Sequence, residues 1–143
     1  TVKVALLSKY PFVYAKEVRV GYGVKYRNIL EVKFKFLNQE LYIFVNHWKS
    51  KNGPESQRLV YAKALKKRLN KLGYNKNIIL LGDFNSDYEE YIKFKRKRRL
   101  NDTGGKTGIN HIINTIDRSK KDYMYNLWYT VDKDQRYSYI YKR

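Results

Sequence analysis

Between residues 41 and 86 the hydrophobic period changes twice, and no other feature narrows the fold as much. Leu41-Tyr-Ile-Phe-Val45 is a short apolar run that reads as a strand. Gly53-Pro54-Glu55 then opens a helix, with Pro at the first helical position and an acid in the first turn. Ala62, Leu65, Leu69 and Leu72 recur at spacings of three and four, and basic residues crowd the opposite face. Gly73 supplies the stop. Ile78-Ile-Leu-Leu81 follows as a second apolar strand, read as buried on both faces. Strand, helix, strand makes the chain an α/β protein.

Both strands end in polar clusters. Val45 runs into Asn46-His47-Trp48-Lys49-Ser50, and Leu81 runs into Gly82-Asp83-Phe84-Asn85-Ser86. Gly82 allows a sharp turn, and strand C-termini are where open α/β sheets place their chemistry. Asp83 and Asn85 sit two apart on one side of an extended segment. An Asp there can bind a hard divalent cation or orient a water, and an Asn can hold a phosphate oxygen without adding charge. Loop caps use the same residue types. His47 can act as a general acid or base, bond a phosphate oxygen, or serve only structure. Arg27, and Lys49 with Ser50, can supply charge-assisted bonds to phosphate. His111 has no partner motif and reads as structural.

The flanking segments are read as support. Val2 to Leu7 reads as a buried strand ended by Ser8-Lys9-Tyr10-Pro11, residues 12 to 20 as an edge strand, and Gly21-Tyr-Gly23 as a turn. From Ile29 to Phe36, Leu30, Val32, Phe34 and Phe36 share one face, and Glu31, Lys33 and Lys35 share the other. Asn38-Gln39-Glu40 makes a hairpin connection into Leu41, so those strands are expected to be antiparallel. Asp87 opens a short helix that becomes the basic run Lys93 to Arg99, which is either a solvated face or a phosphate-contacting arm. Residues 101 to 110 read as a loop. Its Gly104-Gly105-Lys106-Thr107 is not a P-loop, because Leu stands at position 100 where that motif needs Gly. Arg136 to Tyr141 reads as a final strand.

Composition narrows the partner. Against 13 acidic residues stand 31 Lys and Arg, a formal net charge of +18. Such an imbalance favours a polyanion, either nucleic acid or an anionic membrane face. Cysteine is absent, so disulfides say nothing of compartment. No apolar stretch approaches the about 18 residues of a membrane span. The chain starts with Thr and carries no signal-peptide pattern, and is read as a processed product or an excerpt. No repeat or linker divides it, so one domain is expected.

Several blocks, taken in order, carry a resemblance. They are Leu6-Leu-Ser-Lys-Tyr-Pro11, Arg27-Asn28-Ile29-Leu30, Val45-Asn-His-Trp-Lys-Ser50, Pro54-Glu55 with Arg58 and Ala62, and Leu81-Gly-Asp-Phe-Asn-Ser86. Together they resemble the endonuclease/exonuclease/phosphatase superfamily, the deoxyribonuclease I-like fold, and most of all its bacterial extracellular-type nucleases. Arg136-Tyr-Ser-Tyr139 resembles the stretch that leads to that branch's last motif. The resemblance implies a four-layer α/β/β/α sandwich and a Mg²⁺- or Mn²⁺-assisted attack of water on a phosphodiester of nucleic acid, with DNA favoured.

Residue by residue, it implies that His47 is the general acid or holds the scissile phosphate. Asp83 would orient the attacking water and bind the metal, and Asn85 would bond the phosphate and help fix that metal. Arg27, Asn46, Lys49, Ser50 and Tyr139 would lie on the substrate side. Family members also carry an upstream Gln-Glu strand with the principal metal ligand, and a terminal Asp-His. Neither is present here, and Glu17, Glu31 and Glu40 do not stand in the right context to replace the Glu. The expectation is thus a single incomplete domain, residues 1–143, that is inactive by itself. Two other readings stay open: a phospholipid head-group phosphodiesterase or phosphatase of the same superfamily, and a non-catalytic nucleic-acid-binding module. The resemblance leans towards a secreted or periplasmic protein without membrane insertion.

Overall fold

The hairpin at the centre of the molecule sets the sheet. The computed structural model describes residues 3–22, 26–93 and 102–136. Strand β2 (Ile29–Phe36) turns into β3 (Gln39–His47) through Leu37 and Asn38, whose φ angles are 44° and 68°. Two central residues with positive φ give a hairpin turn whose twist matches the strands. The reversal thus falls one residue earlier than the expected Asn38-Gln39-Glu40, and the pair is antiparallel as expected. β1 (Tyr14–Val18) adds antiparallel to the other side of β2, within the segment read as an edge strand.

Helix α1 (Glu55–Leu72) carries the chain back so that β4 (Asn77–Asp83) pairs parallel with β3, in the order β1-β2-β3-β4. Parallel neighbours need such a crossover. Pro54 is extended and lies just before α1, one position earlier than expected, and Gly73 ends the helix at φ 90° with its N–H donated to Leu69 O. After β4 come the short helix α2 (Glu90–Lys93), a π-helical turn (Gly108–Ile112) and 3₁₀ turns at Leu127–Thr130 and Lys133–Gln135. The stretch before the turn at Gly104 and Gly105, where a P-loop would need its strand, lies outside the described residues.

The core lies between the sheet and α1. Ile29, Tyr42, Phe44 and Trp48 pack against Tyr61, Ala62, Leu65 and Leu69, and Ile109 and Ile113 close the end. One point that the pattern left open is settled, and two expectations change. First, the face of β2 that carries its charged residues is the one α1 covers. Glu31 is fully buried there, held by Arg68 at 2.6 and 2.7 Å and by the Tyr14 hydroxyl at 2.7 Å. Period 2 groups residues by face but does not say which face is covered.

Second, β4 is an edge strand among the described residues rather than a strand buried on both sides. Ile79 is 43% exposed, while Ile78 and Leu80 pack on the core. Third, Lys3–Leu7 forms no strand, and Leu7 is 96% exposed. The basic run from residue 94 and the expected final strand beyond Arg136, with Tyr139, lie outside the described residues.

Candidate active site

Strand register builds the site. β3 and β4 run in step from Leu41↔Asn77 to His47↔Asp83, and Trp48 N–H donates to Asp83 O at 2.8 Å to extend the ladder. The His47 Nε2 atom comes to 3.8 Å from Asp83 Oδ2, with side chains 33% and 60% exposed. Residues from two strands 36 positions apart in sequence thus meet at one corner of the sheet.

Gly82 makes that approach possible. Its φ is 110°, and a Cβ added there would fall 2.1 Å from the Asn46 carbonyl oxygen. No side chain fits such a gap, and L residues avoid that conformation. Beyond Gly82 the chain folds over Asp83. Asn85, at φ 48°, donates its backbone N–H to Asp83 Oδ1 at 2.8 Å and its side-chain amide to Asp83 Oδ2 at 2.9 Å. The carboxylate is thereby fixed in orientation while staying open to solvent.

The Trp48 carbonyl is the second anchor. It accepts from Asn85 Nδ2 at 3.2 Å and from Arg27 Nη1 at 3.3 Å, so Arg27 stands at this same corner. Lys49 and Ser50 are exposed in the loop that follows. Asn46 departs from its expected place. It is 1% exposed, its amide donates to Phe44 O and Leu81 O, and its Oδ1 accepts from Trp48 Nε1. Asn46 therefore clamps β3 to β4 from the interior. His111 sits in the π-helical turn and accepts the Thr107 N–H on Nδ1, consistent with its structural reading.

Sequence reasoning gave no role to the buried ion cluster below these loops. Arg58, fully buried, is bonded by Glu55 at 2.6 Å and donates to Ser50 O and Gly53 O. Glu55 also accepts the Gly108 N–H at 2.8 Å. Glu90, 3% exposed, accepts from Ser86 Oγ and from the Asp87 N–H. The cluster ties the Lys49–Ser50 loop and the segment after Asn85 to the core. The Glu55–Arg58 spacing was the only local signal, since helix residues three apart face each other.

As a metal site, Asp83 and Asn85 offer two ligands of the octahedral shell that Mg²⁺ takes. Among the described residues no three His, Cys, Asp or Glu side chains cluster to hold an ion. Mg²⁺ is nonetheless often held by one or two carboxylates, with waters and substrate phosphates completing the shell. The Asp83 carboxylate and the Asn85 Oδ1, which takes no partner among the described residues, fit that requirement.

Residues 3–142 match the sequence profile of the Endonuclease/Exonuclease/phosphatase family. No curated protein matches the chain. The family's members are in general hydrolytic enzymes acting on phosphate esters, commonly with divalent metals. The profile spans nearly the whole chain rather than one motif, and the mixed α/β sheet with its helix accords with that fold. The chain belongs to the endonuclease/exonuclease/phosphatase family.

Proposed function

We propose that the chain carries part of the active site of a metal-dependent endonuclease that hydrolyses phosphodiesters of nucleic acid, DNA foremost. The observation that carries this reading is the pairing of His47 with Asp83 at 3.8 Å, beside an Asn85 that fixes the carboxylate. The net charge of +18 favours a long polyanion over a small phosphomonoester, because a spread basic surface gains by neutralising many phosphates.

In this reading Asp83 orients a water in line with the scissile phosphorus and accepts its proton as the new O–P bond forms. His47 donates a proton to the leaving oxygen as the old O–P bond breaks. Arg27, Lys49 and Ser50 bind the flanking phosphates, and Asn46 acts from the interior by holding the two strands in register. Both N–H bonds of the Asn85 amide are engaged by Asp83 and Trp48. Its part is therefore to set the carboxylate and present Oδ1 to a cation. A Mg²⁺ or Mn²⁺ ion held by Asp83 and Asn85 would neutralise charge developing on the phosphate oxygens.

The described residues supply one imidazole and one carboxylate at this corner, so the 143-residue chain is expected to be a poor catalyst. Incubating it with plasmid DNA and Mg²⁺ should give no measurable nicking, and nicking above background would overturn that expectation. In any longer form of the protein that cleaves DNA, Asp83→Ala and His47→Ala should each lower cleavage at least about 10²-fold with the fold intact. Full retention would overturn the assigned roles. Hydrolysis of sphingomyelin or inositol lipid in preference to DNA would shift the substrate. No helix among the described residues is long and apolar enough to cross a membrane.

A further inference from the structure

The apolar side of α1 is spent on the core, where Tyr61, Ala62, Leu65 and Leu69 are buried. Its opposite side carries Lys63, Lys67 and Lys71, all exposed and spaced four residues apart. The cations next to them in sequence are neutralised: Lys66 pairs with Asp122 and Arg68 with Glu31. The three exposed lysines have no acidic partner among the described residues. Like charges at this spacing repel one another on a helix, and no acidic side chain among the described residues offsets it. Lys71 also meets the partial negative charge of the helix end, but Lys63 and Lys67 lie in mid-helix.

We propose that Lys63, Lys67 and Lys71 form a phosphate-backbone track that holds a second stretch of nucleic acid away from the cleavage site. This rests on the nucleic-acid part of the reading above, not on hydrolysis. At about 1.5 Å rise per residue the ammonium groups repeat every ~6 Å and span ~12 Å. One strand of a duplex presents a phosphate about every 3.4 Å of axis, so the row faces roughly three to four of them.

The row extends from about 12 to about 24 Å beyond Glu55 along the helix axis, leading away from the loops of the site. At its far end lies an open depression of ≈ 900 Å³ edged by Asn70, Tyr74 and Lys121, together with Lys120, which pairs with Asp117, and the Lys66–Asp122 pair. A membrane-surface helix would need apolar side chains flanking the cations. Here those side chains face the core, so the track fits a hydrated polyanion. Contacts of this kind are independent of base sequence.

The test uses the 143-residue chain and a fluorescent 20-base-pair duplex in EDTA, with anisotropy followed over a salt series. The triple variant K63Q/K67Q/K71Q should bind about 10- to 100-fold more weakly at 100 mM salt, with a log–log salt slope smaller by about two to three. The control K3Q/K9Q/K35Q removes the same charge from exposed sites elsewhere and should lose clearly less. Equal losses in both triples would show a diffuse charge effect and overturn the track. Loss of binding to phosphatidylserine vesicles, with duplex binding unchanged, would overturn it too. A wild-type chain that fails to bind the duplex at low salt would sink both this proposal and the nucleic-acid reading. Row-dependent binding in a protein that never cleaves DNA would support the track and remove only the hydrolysis.

Discussion

Two acid–base pairs on the same sheet, Glu31 with Arg68 and Asp83 with His47, have opposite fates. Glu31 is closed off: two guanidinium bonds and a tyrosine hydroxyl occupy its oxygens, and no water reaches it. Burial alone would push its carboxyl up, but the Arg68 and Tyr14 bonds hold it below the usual carboxylate range. The same contact, after burial itself, drives the Tyr14 hydroxyl up to about 12. Asp83 is 60% exposed and stands 3.8 Å from its imidazole, and among the described residues its carboxylate receives hydrogen bonds from the neighbouring Asn85. A pair that is short and dry holds a fold together, whereas one that is loose and wet is left with valence for a substrate.

The largest expected effect comes from breaking the closed pair. Among the described residues, Arg68→Ala would leave the buried Glu31 with only the half-exposed Lys16, 3.5 Å away, as a cationic partner, and should cost about 3 kcal/mol in urea unfolding. The double change E31L/R68L should recover most of that loss, because two apolar residues remove the desolvation penalty together. A double variant as unstable as the single one would mean that packing, not charge, sets the cost.

Gly82→Ala attacks the open pair from beneath. The added Cβ must push the Asn46 carbonyl away, for an expected loss of about 1–3 kcal/mol. The 3.8 Å approach of His47 to Asp83 should widen with it, visible as altered His47 ring shifts by NMR. Unchanged stability and shifts would show that the two strands are not in close register there.

Acid separates the pairs next. Glu31 has a folded-state value below its unfolded one, so the unfolded chain binds more protons as pH falls. Its contribution is therefore complete above the ordinary carboxylate range and is lost as pH falls through the depressed value. Wild-type stability should drop along that acid limb more steeply than that of Glu31→Gln. Parallel curves would remove the ionised Glu31 from the account.

The smallest effect on stability is expected where the effect on activity is greatest. Asp83→Ala and His47→Ala should each shift unfolding by no more than about 0.5 kcal/mol, as surface changes do. A larger loss at either would make the open pair structural and weaken its claim to chemistry.

Much of this was readable before any coordinate. Local periodicity and punctuation named the helix, its Gly73 stop, the hairpin and the two strands whose polar ends converge. Those signals are short-range, carried by residues one to four positions apart, so a linear reading captures them. The same reading picked His47, Asp83, Asn85 and Arg27, which the fold gathers at one corner. It missed the burial of Glu31, because the compensating Arg68 lies 37 residues away. It put Asn46 with the substrate and took β4 to be covered on both faces. It also drew a strand at Val2–Leu7, and the described part of that segment, Lys3–Leu7, forms none.

The amino-acid order alone thus determined which segments would be helix or strand and which chemical groups would crown the strands, since backbone preference and alternation act over a few residues. Which side of each strand is dry, which strand is left at an edge, and whether an imidazole comes to rest against a carboxylate were settled by packing. Those outcomes depend on what a distant part of the chain lays against each surface, and no local pattern carries that information.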